Sequence, residues 1–223
     1  MSGTGTAAKL HSLWRTLRWP VSPSNAATFH LQVELLARQN DADLVFLAED
    51  DYFYLPGRFH LLVDLMQRNQ DVDFCTPADH PDLHKDAFHR HKMQIKVVQG
   101  QVWKTANGTT GTLVTRQSIL KETRSTLMSL GRNTDSGMWL SLTKHHVFNP
   151  FDLLTQPFIF PYRGASLVFA WLLNWRQILF GRRYTLFVPV PSLATHMDAK
   201  LLAPYVDWKK EFQQVKSVDV RPG

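Results

Sequence analysis

Cysteine is almost absent: Cys75 is the only one in 223 residues. A single thiol excludes an internal disulfide and any multi-cysteine zinc site, and it points to a reducing, cytoplasmic setting. Long apolar runs are also missing. The first twenty residues hold Lys9, Arg15 and Arg18 but no continuous apolar stretch, so no secretory signal is expected. The most apolar segment, 167–180 (LVFAWLLNWRQILF), falls short of the ~20 residues that span a bilayer. Asn174 and Arg176 interrupt it, so it reads as a core or interfacial helix. No repeat or low-complexity tract is present. At 44% hydrophobic and 20% charged residues, the composition excludes a disordered or fibrous chain.

What is present is a modest excess of positive charge. Lys and Arg number 25 against 19 Asp and Glu, a net charge of +6 that suits anionic partners. The basic residues are scattered rather than gathered into a stripe, which argues against nucleic acid. The length suits one full domain with an appended arm. The expected division is a basic arm over 1–23, a main domain over 24–208 and a polar tail over 209–223.

Within the arm, Leu10, Leu13, Trp14 and Leu17 recur at helical spacing and make one apolar face beside Lys9, Arg15 and Arg18. Such a helix docks on its own domain or lies peripherally on an anionic membrane, here the inner face. Pro20 and Pro23 end it. A helix over 24–39 follows, with Ser24 as N-cap and Phe29, Val33, Leu35 and Leu36 as apolar positions. Leu44 to Ala48 is a continuous apolar run, as expected of a strand buried on both faces of a parallel sheet. A helix from Pro56 to Asn69 turns Phe59, Leu62, Val63 and Met66 inward.

Strands are expected at 72–77, 93–98, 111–115 and 184–190, with a turn around Asn107-Gly108. Helices are expected at 116–130 and 135–144. Strands interleaved with helices indicate α/β architecture with a mostly parallel sheet, in which ligands sit beyond the carboxyl ends of the strands.

Glu49, Asp50 and Asp51 stand where the first such strand ends. Three adjacent carboxylates repel one another, and a cation relieves that repulsion. Their hard oxygens suit Mn²⁺ or Mg²⁺, which share their coordination with substrate phosphates. On strand alternation Glu49 and Asp51 face one way and Asp50 the other. The competing reading is an exposed acidic turn before the next helix. Asp135 opens a helix, where Asp is also common for dipole reasons. Trp103-Lys104 offers either a sugar-stacking ring beside a phosphate-binding lysine, or a core tryptophan. His80, His84, His89 and His91 lie among Asp79, Asp82 and Asp86. Their spacing matches no zinc pattern, so a solvated loop is expected, with a lid or acceptor contact as its alternative use. Asn107-Gly108-Thr109 is a glycosylation sequon without consequence in the cytoplasm.

An apolar strand ending in acids, then an aromatic and a proline-started helix (VFLAEDDYFYLPGRF), resembles the acidic metal motif of GT-A glycosyltransferases, closest to the inverting family-2-like branch. Other segments match in order. Asn25 stands ahead of the helix leading to the acidic strand. TTGTLVTRQSIL at 109–120 is similar to the small-residue segment, strand and Arg-started helix near the acceptor site. NTDSGMWLSL at 133–142 resembles the segment with the catalytic carboxylate, here Asp135. PSLATHMD at 191–198 places His196 where several such enzymes hold a further metal ligand.

The resemblance implies a GT-A-like, Rossmann-related fold and a sugar transferred with inversion from a nucleotide-diphosphate donor to a glycan, polysaccharide or lipid-linked acceptor. It further implies Mn²⁺ or Mg²⁺ on Glu49, Asp51 and His196, Asp135 as catalytic base, and Asn25, Asp50 and Lys104 on the donor. The usual first strand, which binds the nucleotide base, has no candidate before Ser24. That leaves a second reading, a non-catalytic glycan-binding or membrane-associated protein that keeps the fold, and a third, a metal-dependent phosphohydrolase.

Overall fold

The computed structural model describes residues 25–218, except 86–88, 90, 109, 133 and 160. The arm over 1–23 and its amphipathic helix lie outside the described residues, as does the Ser24 cap.

The chain is α/β, a six-stranded mixed sheet flanked by helices. In chain order the elements that build it are α1 (Asn25–Arg38), β1 (Leu44–Leu47), β2 (Tyr52–Tyr54), α2 (His60–Arg68), β3 (Phe74–Cys75) and α3 (Asp82–Lys85). Next come β4 (Ile95–Val98), β5 (Gln101–Ala106), β6 (Leu113–Arg116), α4 (Gln117–Leu127) and α5 (Asp135–Thr143). The chain continues through α6 (Pro150–Ile159), α7 (Pro161–Phe180), β7 (Leu186–Val190), β8 (Ala194–His196) and α8 (Trp208–Val218). The sheet order is β1-β6-β3-β7-β5-β4, and β2 and β8 form a separate two-stranded ladder.

The mostly parallel sheet expected from the sequence is not what forms. Only β3 and β7 pair in parallel, and the other neighbours are antiparallel. Strand alternation divides the side chains between two cores. Val45, Leu47, Phe74, Leu113, Leu186 and Val188 join the layer with α1, α4 and α5. Leu44, Phe46, Cys75, Val114 and Phe187 join the other layer, with α2. Covering helices on both faces explain why β1 reads as an unbroken apolar run although its partner β6 is antiparallel. Trp103 is fully buried in the second core, so its core reading holds.

Two further expectations change. Residues 101–106 form a strand, and β4 and β5 make a hairpin whose turn is Gln99-Gly100 rather than Asn107-Gly108. Those two residues take φ of 49° and 77°, the left-handed pair that a tight two-residue hairpin demands. The segment read as a polar tail carries α8, whose Trp208 and Phe212 rings both pack edge-on against Phe53. At the other end of β6, the Arg116 guanidinium donates to Val72 O at 2.7 Å and Asn69 O at 3.0 Å, closing the carbonyl end of α2.

Candidate functional site

β1 and β3 both run antiparallel to β6, and β7 runs parallel to β3. Three strands therefore direct their carboxyl ends to one edge of the sheet. Glu49 to Asp51 follow β1, Asp79 and His80 follow β3, and Ser192 to His196 follow β7. The strand-end placement expected for a ligand site survives the change of sheet type.

The acidic turn is held from several sides. The Gln32 amide on α1 clamps Ala48, donating to its carbonyl at 2.8 Å and accepting from its N–H at 2.8 Å. The Tyr54 hydroxyl contacts Glu49 O at 3.1 Å and Thr112 Oγ1 at 2.9 Å. The Glu49 carboxylate receives backbone N–H groups from Gly111 and Thr112. A Cβ at Gly111 would lie 2.6 Å from Glu49 Oε1, so only glycine permits this approach. Burial, with the negative charges of Asp51 and Asp135 adding to it, pushes the Glu49 carboxyl up to about 7. The acids lie in a turn beyond β1, outside the strand whose alternation was to sort them; there Glu49 and Asp51 are partly buried and Asp50 is exposed.

Asp51 is joined to the end of the chain's last ladder. β2 pairs with β8 so that Tyr52 stands opposite His196, and Met197 N–H donates to Asp51 O at 2.8 Å. The Asp198 N–H donates to His196 Nδ1 at 3.2 Å, which assigns the ring proton to Nε2. That nitrogen lies 3.0 Å from Asp51 Oδ2. The other oxygen, Asp51 Oδ1, is buried with no hydrogen-bond partner among the described residues. Tyr52 lies edge-on to the His196 ring and is buried, which pushes its phenol above the usual range.

Asp135 enters from α5. Thr134, not Asp135, caps the helix, accepting from Gly137 N–H at 2.9 Å. The Asp135 carboxylate instead accepts from Ser136 N–H at 2.8 Å and senses Glu49 across the site. Burial raises its pKa, while the Ser136 N–H, His80 and His89 act against that rise.

The histidine-rich segment is not one solvated loop. Residues 72–79 are buried, and burial lowers the pKa of His80, which senses Asp82, Asp135 and His196. His80 thus comes to the site edge, although the sequence reading left it in a solvated loop, with a lid or acceptor contact as the alternative. Its signal was position, in the segment that follows β3 to the same carboxyl edge. His89 is buried with Nδ1 at 2.7 Å from Asn107 Oδ1. His84 and His91 belong elsewhere.

The proposed donor contacts fare unevenly. Lys104 Nζ lies 3.0 Å from Asp79 Oδ2 and 3.0 Å from His84 Nε2, which is itself 2.7 Å from the same carboxylate oxygen. Asp79 is fully buried, so Lys104 is committed to neutralising it rather than open to a phosphate. Asp50 points to solvent. Asn25 is described only as the first residue of α1. In the 109–120 motif, the small residues border Glu49, whereas Arg116 pairs with Leu44 at the far edge of the sheet.

Among the described residues, no three His, Cys, Asp or Glu side chains stand close enough together to hold a metal ion by themselves. The orphaned Asp51 oxygen and the mutual repulsion of Glu49 and Asp51 still fit a divalent cation. Mg²⁺ in particular binds through one or two carboxylates, waters and substrate phosphates rather than a closed protein cage. Compared with known protein families, curated proteins and solved structures, the chain matches none.

Proposed function

We propose that the protein is a metal-dependent, inverting glycosyltransferase of GT-A type, taking its sugar from a nucleotide-diphosphate donor. Its acceptor is a hydroxyl on a glycan, polysaccharide or lipid-linked molecule, and its setting is the cytoplasm. The observation that carries this reading is the meeting of Glu49, Asp51, His196 and Asp135, from three distant segments, at one strand-end edge. Acceptor deprotonation needs a base whose pKa is not too low, and burial raises that of Asp135. In the transfer, the acceptor oxygen bonds to the anomeric carbon as the carbon–phosphate oxygen bond breaks on the opposite face. The hydroxyl proton passes to an Asp135 carboxylate oxygen. Glu49 and Asp51, together with waters and the donor phosphates, are the residues that would hold Mn²⁺ or Mg²⁺, which would neutralise the departing diphosphate. The third expected ligand, His196, has Nε2 turned to Asp51 Oδ2 at 3.0 Å and would orient that carboxylate. Tyr54, Gln32 and Gly111 orient the acidic turn.

The state of Lys104 favours a second reading. With its charge committed to Asp79, the expected phosphate contact is lost, as a glycan-binding protein without a donor site would allow.

Thermal unfolding with UDP, GDP, ADP, CDP and dTDP, with and without Mn²⁺ or Mg²⁺, separates the two. A nucleotide at about 100 times its Kd adds about 2.7 kcal/mol to the folded state. The expected result is a metal-dependent shift with one nucleotide, and Asp51→Asn should abolish its metal-dependent part. No shift with any nucleotide would refute the donor site and leave the non-catalytic reading.

A further inference from the structure

α7 is apolar on both of its sides, which is unusual for a helix of a water-surrounded protein. Its inward side packs Leu167, Ala170 and Ile178 against Leu140 and Val147 and adds two polar ties: Ser166 Oγ meets Thr134 Oγ1 at 2.8 Å, and Asn174 Nδ2 donates to Ser129 Oγ at 3.0 Å. Its outward side carries Val168, Leu172, Trp175 and Leu179, one helical stripe, with Phe169 and Phe180 beside it. Leu172 is 66% exposed and Phe180 is 79% exposed. The patch continues onto α6 and the turn before it, where Phe151 and Leu154 are exposed and the Phe148 ring packs edge-on against Trp171 of α7. Exposed apolar surface this continuous marks an interaction site.

Charge tells what covers it. From 153 to 197 the chain carries Arg163, Arg176, Arg182 and Arg183 and no Asp or Glu, and of these Arg182 is paired with Asp73 and Glu122. Arg176 lies within the exposed stripe, its guanidinium 5.3 Å from the Trp175 ring. Beyond Phe180, Arg183 borders a cavity of about 500 Å³ that His91, Lys92 and His145 also line, with no carboxylate among its lining residues. The Arg183 guanidinium lies 3.2 Å from His145 Nε2, and the His145 and His91 rings are 4.4 Å apart. Arg183 follows the last residue of α7 by three positions and, with Lys92, gives that cavity two cations.

We propose that the exposed face of α6 and α7 docks on an anionic lipid surface, with the apolar stripe set into the interface and Arg176, Arg183 and Lys92 on the headgroups. Apolar insertion combined with cationic flanks is the chemistry by which helices lie in a membrane plane. No helix among the described residues is long and apolar enough to cross a membrane. Asn174 also breaks α7 with φ of −125° and pins it to the domain through Ser129. The inference stands apart from glycosyl transfer and needs no donor.

The test is flotation of the full-length chain with phosphatidylglycerol–phosphatidylcholine vesicles and with phosphatidylcholine alone, comparing wild type with Leu172→Glu/Leu179→Glu and with Arg176→Glu/Arg183→Glu. Wild type should float with the anionic vesicles. The leucine pair should lower its partition more than tenfold at an unchanged melting temperature, since both side chains are largely in solvent. The arginine pair should remove the preference for anionic over neutral vesicles. Wild type that stays at the bottom of the gradient overturns the proposal. Undiminished flotation of the leucine pair also overturns it, and assigns binding to the basic arm. Self-association of wild type that the leucine pair abolishes, without flotation, makes the face a contact between copies instead.

Discussion

Glu49 should leave a pH signature on folding that is large enough to measure. Its carboxyl sits at about 7 in the folded protein against an ordinary 4.5. Between those values the unfolded chain has released a proton that the folded chain still holds, so stability falls as pH rises. At about 1.4 kcal/mol per pH unit, the loss reaches about 3 kcal/mol and is complete just above pH 7. Glu49→Gln removes the titration and keeps an oxygen that can accept from Gly111 or Thr112 N–H. Urea unfolding in EDTA should find the variant more stable than wild type by about 1–3 kcal/mol at pH 8 and nearly equal to it at pH 5. Saturating Mn²⁺ should narrow the difference at pH 8, because a cation stabilises the ionised carboxylate and gives the amide little. A difference that is the same at pH 5 and pH 8 would refute the account of Glu49 as a buried, repelled carboxyl.

Gly111→Ala should destabilise the protein by about 1–3 kcal/mol in the same assay, because the new methyl must displace the Glu49 carboxylate or the backbone. It should also weaken any metal-dependent nucleotide shift, and a variant of unchanged stability and binding would show that the turn is not held as described. His145 has its pKa lowered to about 3 by burial, with His91, Arg183 and His146 adding to the effect. A neutral folded imidazole facing an unfolded one that protonates near 6.5 makes stability fall as pH drops from 6.5 towards 3. His145→Gln should flatten that acid limb in unfolding curves between pH 7 and pH 4, and an unchanged limb would show that His145 does not set it.

The features that were legible from sequence are those whose cause is local. An apolar run ending in three acids marks a strand end, and Asp135 stands at a helix start, whatever surrounds them. Sheet direction was not legible, because an antiparallel strand covered on both faces by helices is as apolar as a parallel one. Val45 and Leu47 on one side, with Leu44 and Phe46 on the other, show this for β1. β5 was hidden because QVWKTA places a lysine mid-strand, and only the fold supplies the buried Asp79 that Lys104 reaches. The histidine segment misled for the same reason: His84 pairs with Lys104 and His91 stacks near His145, partners that composition within one loop does not disclose. α7 is the opposite case. Its apolar composition left a core and an interfacial helix both open, and composition does not tell whether an apolar face meets the core or something outside the chain.

The candidate site and the exposed face are mechanically connected. Thr134 caps α5 directly before Asp135, and its hydroxyl is the one that meets Ser166 of α7. Leu140 of α5 shares a core with Leu167, Ala170 and Ile178 of α7. A surface that held α7 would therefore also constrain the position of Asp135. For an acceptor that diffuses freely this would bring nothing, since such a molecule would reach the proposed base from any direction. For an acceptor anchored in lipid, the hydroxyl is confined to a thin layer, and a base held at constant height meets it without a search in the third dimension. Flotation combined with transfer assays on lipid-linked and water-borne acceptors would therefore give correlated results: substitutions at Leu172 and Leu179 should lower transfer to the anchored acceptor and spare the free one. Equal loss on both would mean that the helix supports Asp135 only through packing.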